Sequence, residues 1–297
     1  MILYIFYRVG YFLAMTLPLG MSYWIACRLA GIWCRISHKD RRIVEDNIKR
    51  VLDGNVSDNE LHRMTKEVFR NFAKYLVDFF RFSLIDETYI KRFVNVEGLD
   101  NLKEALSKGK GVIALSAHIG NWELGGAVLS SIGYPTNAVV LSHENKYINN
   151  FFKRQRIRGK MKPIEIGITL KACYITLKSN GVLALMGDRD FTKNGMNMRF
   201  FGDEAPIPKG PAVFSYRIGS AIVPTFMLRE ADDTFRLVFD RPIYPDSSET
   251  EDSAMVGLTK KFLCVIEDYI KKYPTQWYVF RDIWKSDEKD LRPDTVI

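Results

Sequence analysis

His118 and Glu123 stand five residues apart in the run Ala117-His118-Ile119-Gly120-Asn121-Trp122-Glu123, directly after the apolar stretch Gly111-Val112-Ile113-Ala114-Leu115-Ser116. Imidazole is the side chain that most readily takes and returns a proton near neutral pH, and a carboxylate beside it can hold its tautomer and stabilise its charged form. On one continuous helix a five-residue offset turns two side chains about 140° apart. Here the apolar stretch reads as a buried strand, Gly120 breaks it, and an apolar helical pattern follows from Asn121 to Leu129. With His118 in the turn and Glu123 in the first helical turns, the carboxylate can reach back to the imidazole as orienter of a general base.

A second polar cluster, Gly187-Asp188-Arg189-Asp190, closes the apolar stretch Gly181 to Met186. Carboxylates flanking an arginine at a strand end are costly to bury unless they are paired or functional. An Asp188–Arg189 ion pair is one reading; a hold on a hydroxyl-bearing or phosphate-bearing substrate is the other. Lys153, Arg154, Arg156 and Arg158 form a basic helical cluster, either a solvated face or a docking surface beside a cleft. The turn Ala205-Pro206-Ile207-Pro208-Lys209-Gly210-Pro211 leads into a helix, but its prolines lack the N–H that a phosphate cradle needs. No Gly-x-Ser-x-Gly elbow, phosphate-binding loop, dinucleotide fingerprint or zinc pattern occurs. Ser116 lacks the elbow context, which disfavours a serine nucleophile. Cys27, Cys34, Cys173 and Cys264 are scattered without metal spacing and read as buried thiols in a reducing compartment.

The elements that must position these residues change character along the chain. Arg41 to Leu52 and Leu61 to Phe82 carry helical periodicity, the second preceded by the capping box Ser57-Asp58-Asn59-Glu60. From Phe93 onward strands and helices alternate. Strands are expected at 93–96, 111–117, 136–141, 163–166, 181–186, 221–228 and 235–239, and helices at 99–107, 121–132, 146–158, 169–177, 208–218 and 253–273. Such alternation predicts an α/β fold with a central, mostly parallel sheet flanked by helices, its site at the carboxyl ends of the strands. His118 and Asp188 both fall at such ends.

The chain has 297 residues, 47% of them hydrophobic and 13% aromatic, which gives it a substantial core and excludes general disorder. Its formal charge of +8 suits an anionic membrane surface or phosphorylated substrates. Nucleic acid would need a motif or a dense basic stripe, and neither is present. From Val9 to Cys27 no residue is charged. That length approaches a minimal membrane span of ~20 residues. Pro18 and Gly20 argue against a straight span, and two shorter helices meeting near Pro18 at a membrane interface fit better, with a soluble core hairpin as the alternative. Tyr4, Tyr7, Tyr11, Tyr23, Trp24 and Trp33 favour the interface. The expected organisation is a membrane-associated segment at 1–35 and a catalytic domain at 36–297, with a helical lead-in at 36–90 and an α/β core at 91–297.

In combination, Ala117-His118-Ile119-Gly120-Asn121-Trp122-Glu123-Leu124 and Gly187-Asp188-Arg189-Asp190 resemble the bacterial lipid A biosynthesis late acyltransferases, of the lysophospholipid acyltransferase-like superfamily. Further matches are Phe200-Phe201-Gly202, Pro208-Lys209-Gly210-Pro211-Ala212, Gly219 with Ile222-Val223-Pro224, and Pro274-Thr275-Gln276-Trp277-Tyr278. The chain is similar also to the phosphatidylinositol mannoside acyltransferases. Arg189 lies closer to that branch, and Glu123 in the His-x4-Glu motif closer to the lipid A branch.

The resemblance implies an inner-membrane enzyme whose catalytic domain faces the cytoplasm. It would move a fatty acyl chain from an acyl carrier protein or coenzyme A thioester to a hydroxyl of a glycolipid such as a lipid A precursor. A phosphatidylinositol mannoside, another glycolipid or a lysophospholipid is the alternative acceptor. His118 and Glu123 would form the catalytic pair, and a family arginine maps to Arg156 or Arg158. Arg156, Arg158, Asp188, Arg189, Asn121 and Trp122 would contact substrate, and the neighbourhood of Trp122, Leu124 and Val128, with the membrane segment, would supply an apolar groove for the acyl chain. No metal or bound cofactor is expected. The rival readings are a thioesterase or lipid hydrolase using the same pair on water, and an inactive membrane scaffold.

Overall fold

Pro18 divides the amino-terminal apolar segment into two helices, Ile2–Thr16 (α1) and Leu19–Ile36 (α2). The computed structural model describes residues 2–166, 170–192 and 194–284. The expected helix start at Thr169 and the domain's last residues, 285–297, lie outside the described residues. Helices His38–Val51 (α3) and Asp58–Phe80 (α4) follow. The capping box operates as expected, the Ser57 hydroxyl accepting from the Glu60 N–H at 3.3 Å. The aromatic stripe of α4, including Phe69, Phe72, Tyr75 and Phe79, is buried against α2 and the carboxyl-terminal Tyr278 and Phe280. A short helix, Glu87–Phe93 (α5), capped by Asp86, was not expected.

The alternating half of the chain runs Val94–Glu97 (β1), Leu99–Ser107 (α6), Val112–Ser116 (β2), Trp122–Ser131 (α7), Thr136–Val140 (β3), Lys146–Arg158 (α8), Lys162–Glu165 (β4), Leu170–Lys178 (α9) and Val182–Met186 (β5). After a hairpin of Met196–Phe200 (β6) and Asp203–Ile207 (β7) come Gly210–Ile218 (α10), Ala221–Arg229 (β8), Phe235–Phe239 (β9) and Glu251–Lys272 (α11). Seven strands form one sheet in the order β1-β9-β8-β2-β5-β3-β4, every adjacent pair parallel except β8 with β9. Consecutive residues of β2 serve opposite faces: Val112 and Ala114 pack with α6 and α7, and Ile113 and Leu115 pack with α9, α10 and α11. This two-sided burial explains why the strand reads as continuously apolar rather than alternating. The β6–β7 hairpin escaped the sequence reading because its turn residues, Phe201 (φ 49°) and Gly202 (φ 85°), and the edge-strand Pro206 interrupt any strand pattern.

Among the described residues no helix is long and apolar enough to cross a membrane. Tyr7 and Tyr11 of α1 pack on Phe80 and Phe151, while Ile2, Ile5, Phe6, Val9 and Phe12 are exposed. Helix α2 likewise buries Tyr23 and Ala30 and exposes Met21, Trp24, Leu29, Ile32 and Ile36. The cysteines are less uniformly buried than expected: Cys34 and Cys173 are buried, Cys27 is half-buried, and Cys264 lies exposed on α11. No metal-binding group of His, Cys, Asp or Glu occurs among the described residues.

Candidate active site

The turn that carries His118 is fixed by backbone contacts from two sides. Its amides at Gly120 and Asn121 donate to the carbonyls of Gln276 and Met227 at 2.8 and 2.7 Å, and the Tyr278 amide donates to the His118 carbonyl at 2.8 Å. Gly120 has φ 63°, and a Cβ there would lie 2.0 Å from the Met227 carbonyl oxygen, so only glycine fits. Asn121 then starts α7, its Oδ1 accepting from the Leu124 N–H at 3.1 Å.

The partner of His118 is Asp188, not Glu123. Strands β2 and β5 pair in parallel with Ser116 opposite Met186. His118 and Asp188 each lie two residues beyond that register pair, so the sheet sets them side by side. His118 Nδ1 lies 2.8 Å from Asp188 Oδ1, and the His118 backbone N–H donates to Asp188 Oδ2 at 2.9 Å. Trp277 Nε1 donates to Oδ2 as well, at 3.0 Å. Asp188 is fully buried, which favours the neutral acid, but His118 and these hydrogen bonds outweigh that and lower its pKa. An ionised carboxylate only accepts, so Nδ1 carries the ring proton and Nε2 presents the lone pair. Nε2 has no hydrogen-bond partner among the described residues, and His118 lines a large cavity.

Glu123 faces Arg156. Arg156 Nε donates to its two oxygens at 2.9 and 3.1 Å, and a terminal nitrogen donates to Oε1 at 2.6 Å. Both side chains are buried. Burial opposes the charge on Arg156, but the Glu123 carboxylate prevails and raises the guanidinium's pKa. The expected reach of Glu123 back to the imidazole therefore does not occur: the fork of Arg156 from α8 claims the carboxylate. Of the two candidate arginines, Arg156 turns inward. Arg158 donates to the Tyr11 hydroxyl at 2.8 Å on the α1 side, is exposed and does not line the cavity.

The remaining expected contacts divide. Trp122 lines the cavity, its ring stacked on Tyr75 at 4.6 Å and edge-on to His118 at 5.0 Å. Arg189 lines it too and does not pair with Asp188. Asn121 is fully buried and occupied: besides capping α7, it donates from Nδ2 to Asp78 Oδ2 at 2.9 Å. Its position allows no substrate contact. Asp188 is likewise enclosed by its protein partners and does not line the cavity. Leu124 and Val128 face the core beneath α7 rather than the cavity.

The cavity holds about 790 Å³. Part of its lining is apolar: Gly125, Gly126 and Leu129 of α7, Leu237 of β9, and Ala114, Ala184 and Ala138, which stand side by side across β2, β5 and β3. His118, Glu123, Arg156, Arg189, Lys171 and Lys209 make it polar elsewhere. Sequence reasoning missed Trp277 as a ligand of Asp188, although its segment carried part of the resemblance. It also missed Asp78, which accepts hydrogen bonds from Asn121, Tyr23 and Arg229 and so ties α2, α4 and β8 to the cap of α7. Nothing in the spacing signals these contacts, which cross 43 to 151 residues of chain.

The chain is similar to known proteins over most of its length. The model of the bacterial lipid A biosynthesis acyltransferase family matches residues 1–286. A phosphatidylinositol mannoside acyltransferase of Mycolicibacterium smegmatis is 26% identical over 226 residues, covering 75% of this chain and 72% of that one. A lipid A biosynthesis palmitoleoyltransferase of Escherichia coli is 27% identical over 223 residues, covering 74% and 71%.

Proposed function

The chain belongs to the bacterial lipid A biosynthesis acyltransferase family, and on that premise we propose that it transfers a fatty acyl chain from a thioester to a glycolipid hydroxyl with His118 as general base. The observation that carries the proposal is the His118–Asp188 pair, with His118 on the wall of a large cavity whose lining is mostly apolar. Nε2 takes the proton of the acceptor hydroxyl as its oxygen attacks the thioester carbonyl. Asp188 keeps Nδ1 protonated and balances the charge of the imidazolium. The tetrahedral intermediate collapses, the carbon–sulfur bond breaks, and the imidazolium returns its proton to the departing thiolate. Ester and free thiol are the products. Glu123 and Arg156 act as a pair that fixes α7 against α8 and shapes the cavity beside the base.

The donor is acyl carrier protein or coenzyme A in thioester form, and the acyl chain occupies the apolar part of the cavity lined by Gly125 and Gly126. The exposed apolar faces of α1 and α2 rest in the membrane interface, with the catalytic domain on the cytoplasmic side of the inner membrane. The two relatives named above act on acceptors of different kinds by their names, which supports a glycolipid acceptor in the broad sense. The test is to incubate purified protein with acyl thioester, with and without glycolipid, and to analyse the lipids by mass spectrometry. Acylated glycolipid that disappears with His118→Ala supports the reading. Acyl release at the same rate without acceptor, and no acylated product, would replace it with hydrolysis.

A further inference from the structure

Arg189 is a buried cation in the cavity wall that forms no ion pair with a described residue. It is only 7% exposed and makes no hydrogen bond or ion pair with another described residue. Its one close contact is the Phe191 ring, whose centroid lies 4.4 Å from the guanidinium carbon. Every carboxylate near it is committed elsewhere. Asp188 holds His118 and Trp277. Glu123 holds Arg156. Asp190 accepts from the Thr192 and Gly195 amides and the Thr192 hydroxyl at 2.7 to 3.0 Å. Burial, with a contribution from Arg281, outweighs the opposing pull of the Asp188 charge and brings the Arg189 pKa down to about 10. A buried guanidinium without an ion pair carries a desolvation cost that an anionic ligand would reduce.

The surroundings add positive potential. Lys171 and Lys209 line the same cavity and form no ion pair with a described residue. Residues 208–211, the entry to α10, line it as well, which brings the positive end of a nine-residue helix to the same wall. The lining thus holds four cationic side chains, Arg156, Lys171, Arg189 and Lys209, against two carboxylates, Glu123 and Asp190, and Glu123 is held by Arg156.

We propose that Arg189, assisted by Lys209 and the amino end of α10, is the subsite for a phosphate group of the acceptor lipid, and so selects acceptors with a phosphate near the reacting hydroxyl. The planar fork of the guanidinium suits two phosphate oxygens, and the Phe191 face holds its plane. The same chemistry could come from the phosphate of a pantetheine arm. Phe191 decides against it. Its ring centroid lies 6.2 Å from the imidazole as well as 4.4 Å from the guanidinium carbon, so Arg189 sits close to the reacting atoms. The pantetheine phosphate is separated from its thioester by a long extended arm. The proposal rests on the acyl transfer reading above.

The experiment uses the full chain, a disaccharide glycolipid carrying a sugar phosphate, and the same glycolipid after phosphatase treatment. Acyl-coenzyme A and acyl-pantetheine, which lacks phosphate, serve as donors. With Arg189→Gln, KM for the phosphorylated acceptor should rise about tenfold to a hundredfold, the worth of a charged hydrogen bond. KM for the dephosphorylated acceptor should stay near the wild-type value. Lys209→Gln, at an exposed position that tolerates substitution, should raise the same KM by about threefold. Equal losses on both acceptors, or a loss that follows the donor's phosphate instead, overturns the proposal. Binding of each glycolipid, followed by tryptophan fluorescence without donor, separates the two levels of inference. Phosphate-dependent binding without turnover would retain the subsite and refute the transfer reading, whereas turnover indifferent to phosphate would do the reverse.

Discussion

Two buried carboxylates flank the His118 turn, and they differ in what the fold gives them as partners. Asp188 receives an imidazole N–H, a backbone N–H and an indole N–H, all from groups that can be neutral. Glu123 receives three contacts from a single guanidinium that is always charged. A carboxylate neutralised by a permanent cation has little charge left to offer an imidazole. One whose partners are neutral donors remains an anion in a low-dielectric site, and there it favours the imidazolium most. Position in the chain says the opposite, since Glu123 is five residues from His118 and Asp188 is seventy away. Proximity in sequence and electrostatic availability are separate properties, and chemistry follows the second.

The sharpest way to break this comparison is to neutralise each carboxylate in turn. Asp188→Asn keeps shape but removes the charge behind the base, and kcat should fall by about 10²- to 10⁴-fold with KM little changed. Glu123→Gln should act first on stability. It strands a buried guanidinium, which costs about 3–5 kcal/mol, and replacing Arg156 by Met in the same chain should recover much of that loss. Denaturant unfolding read beside initial rates checks both. If Glu123→Gln cut kcat as deeply as Asp188→Asn while the protein stayed as stable as wild type, the roles assigned here would have to be exchanged.

The two variants should also separate by pH. The Asp188 pKa is lowered in the folded chain, so its stabilisation is fully present above the unfolded carboxylate value, near 4, and is lost as pH falls through the lower folded value. Asp188→Asn removes that stabilisation. The stability gap between wild type and variant should therefore be present above about pH 4 and narrow below it. Thermal unfolding over that range measures it, and a gap that does not narrow means that the charge on Asp188 stabilises nothing.

The strand that delivers His118 is legible in the sequence because a sheet buried on both faces leaves an unbroken apolar run. So is the helix after it, because Gly120 and Asn121 are a stop and a cap. The pairing of His118 with Asp188 was within reach in a different way: both follow an apolar strand at the same offset, and a parallel register turns equal offsets into adjacency. What hid it was strand order, which no local pattern encodes, so the nearest acid in the chain took the role. Trp277 and Asp78 were further out of reach. They arrive from the carboxyl-terminal segment and from α4, and side chains brought in by tertiary packing leave no periodic trace.

Asn121 offers the smallest and most local test of the comparison, because it touches neither carboxylate yet begins the helix that carries one of them. Asn121→Ala removes the cap on α7 and one of the hydrogen bonds to Asp78. The cap alone is worth about 1 kcal/mol, and the thinned shell around Asp78 adds a cost of similar size. His118 is held through its own backbone by Asp188 and Tyr278, neither of which depends on that cap. The variant should therefore melt earlier while keeping kcat within about threefold of wild type at temperatures where it is folded. Glu123, on the first turn of α7, would feel the fraying and Asp188 would not. A large fall in kcat in the folded variant would mean that the base depends on the helix as much as on the strand, and the distinction between the two carboxylates would lose its structural basis.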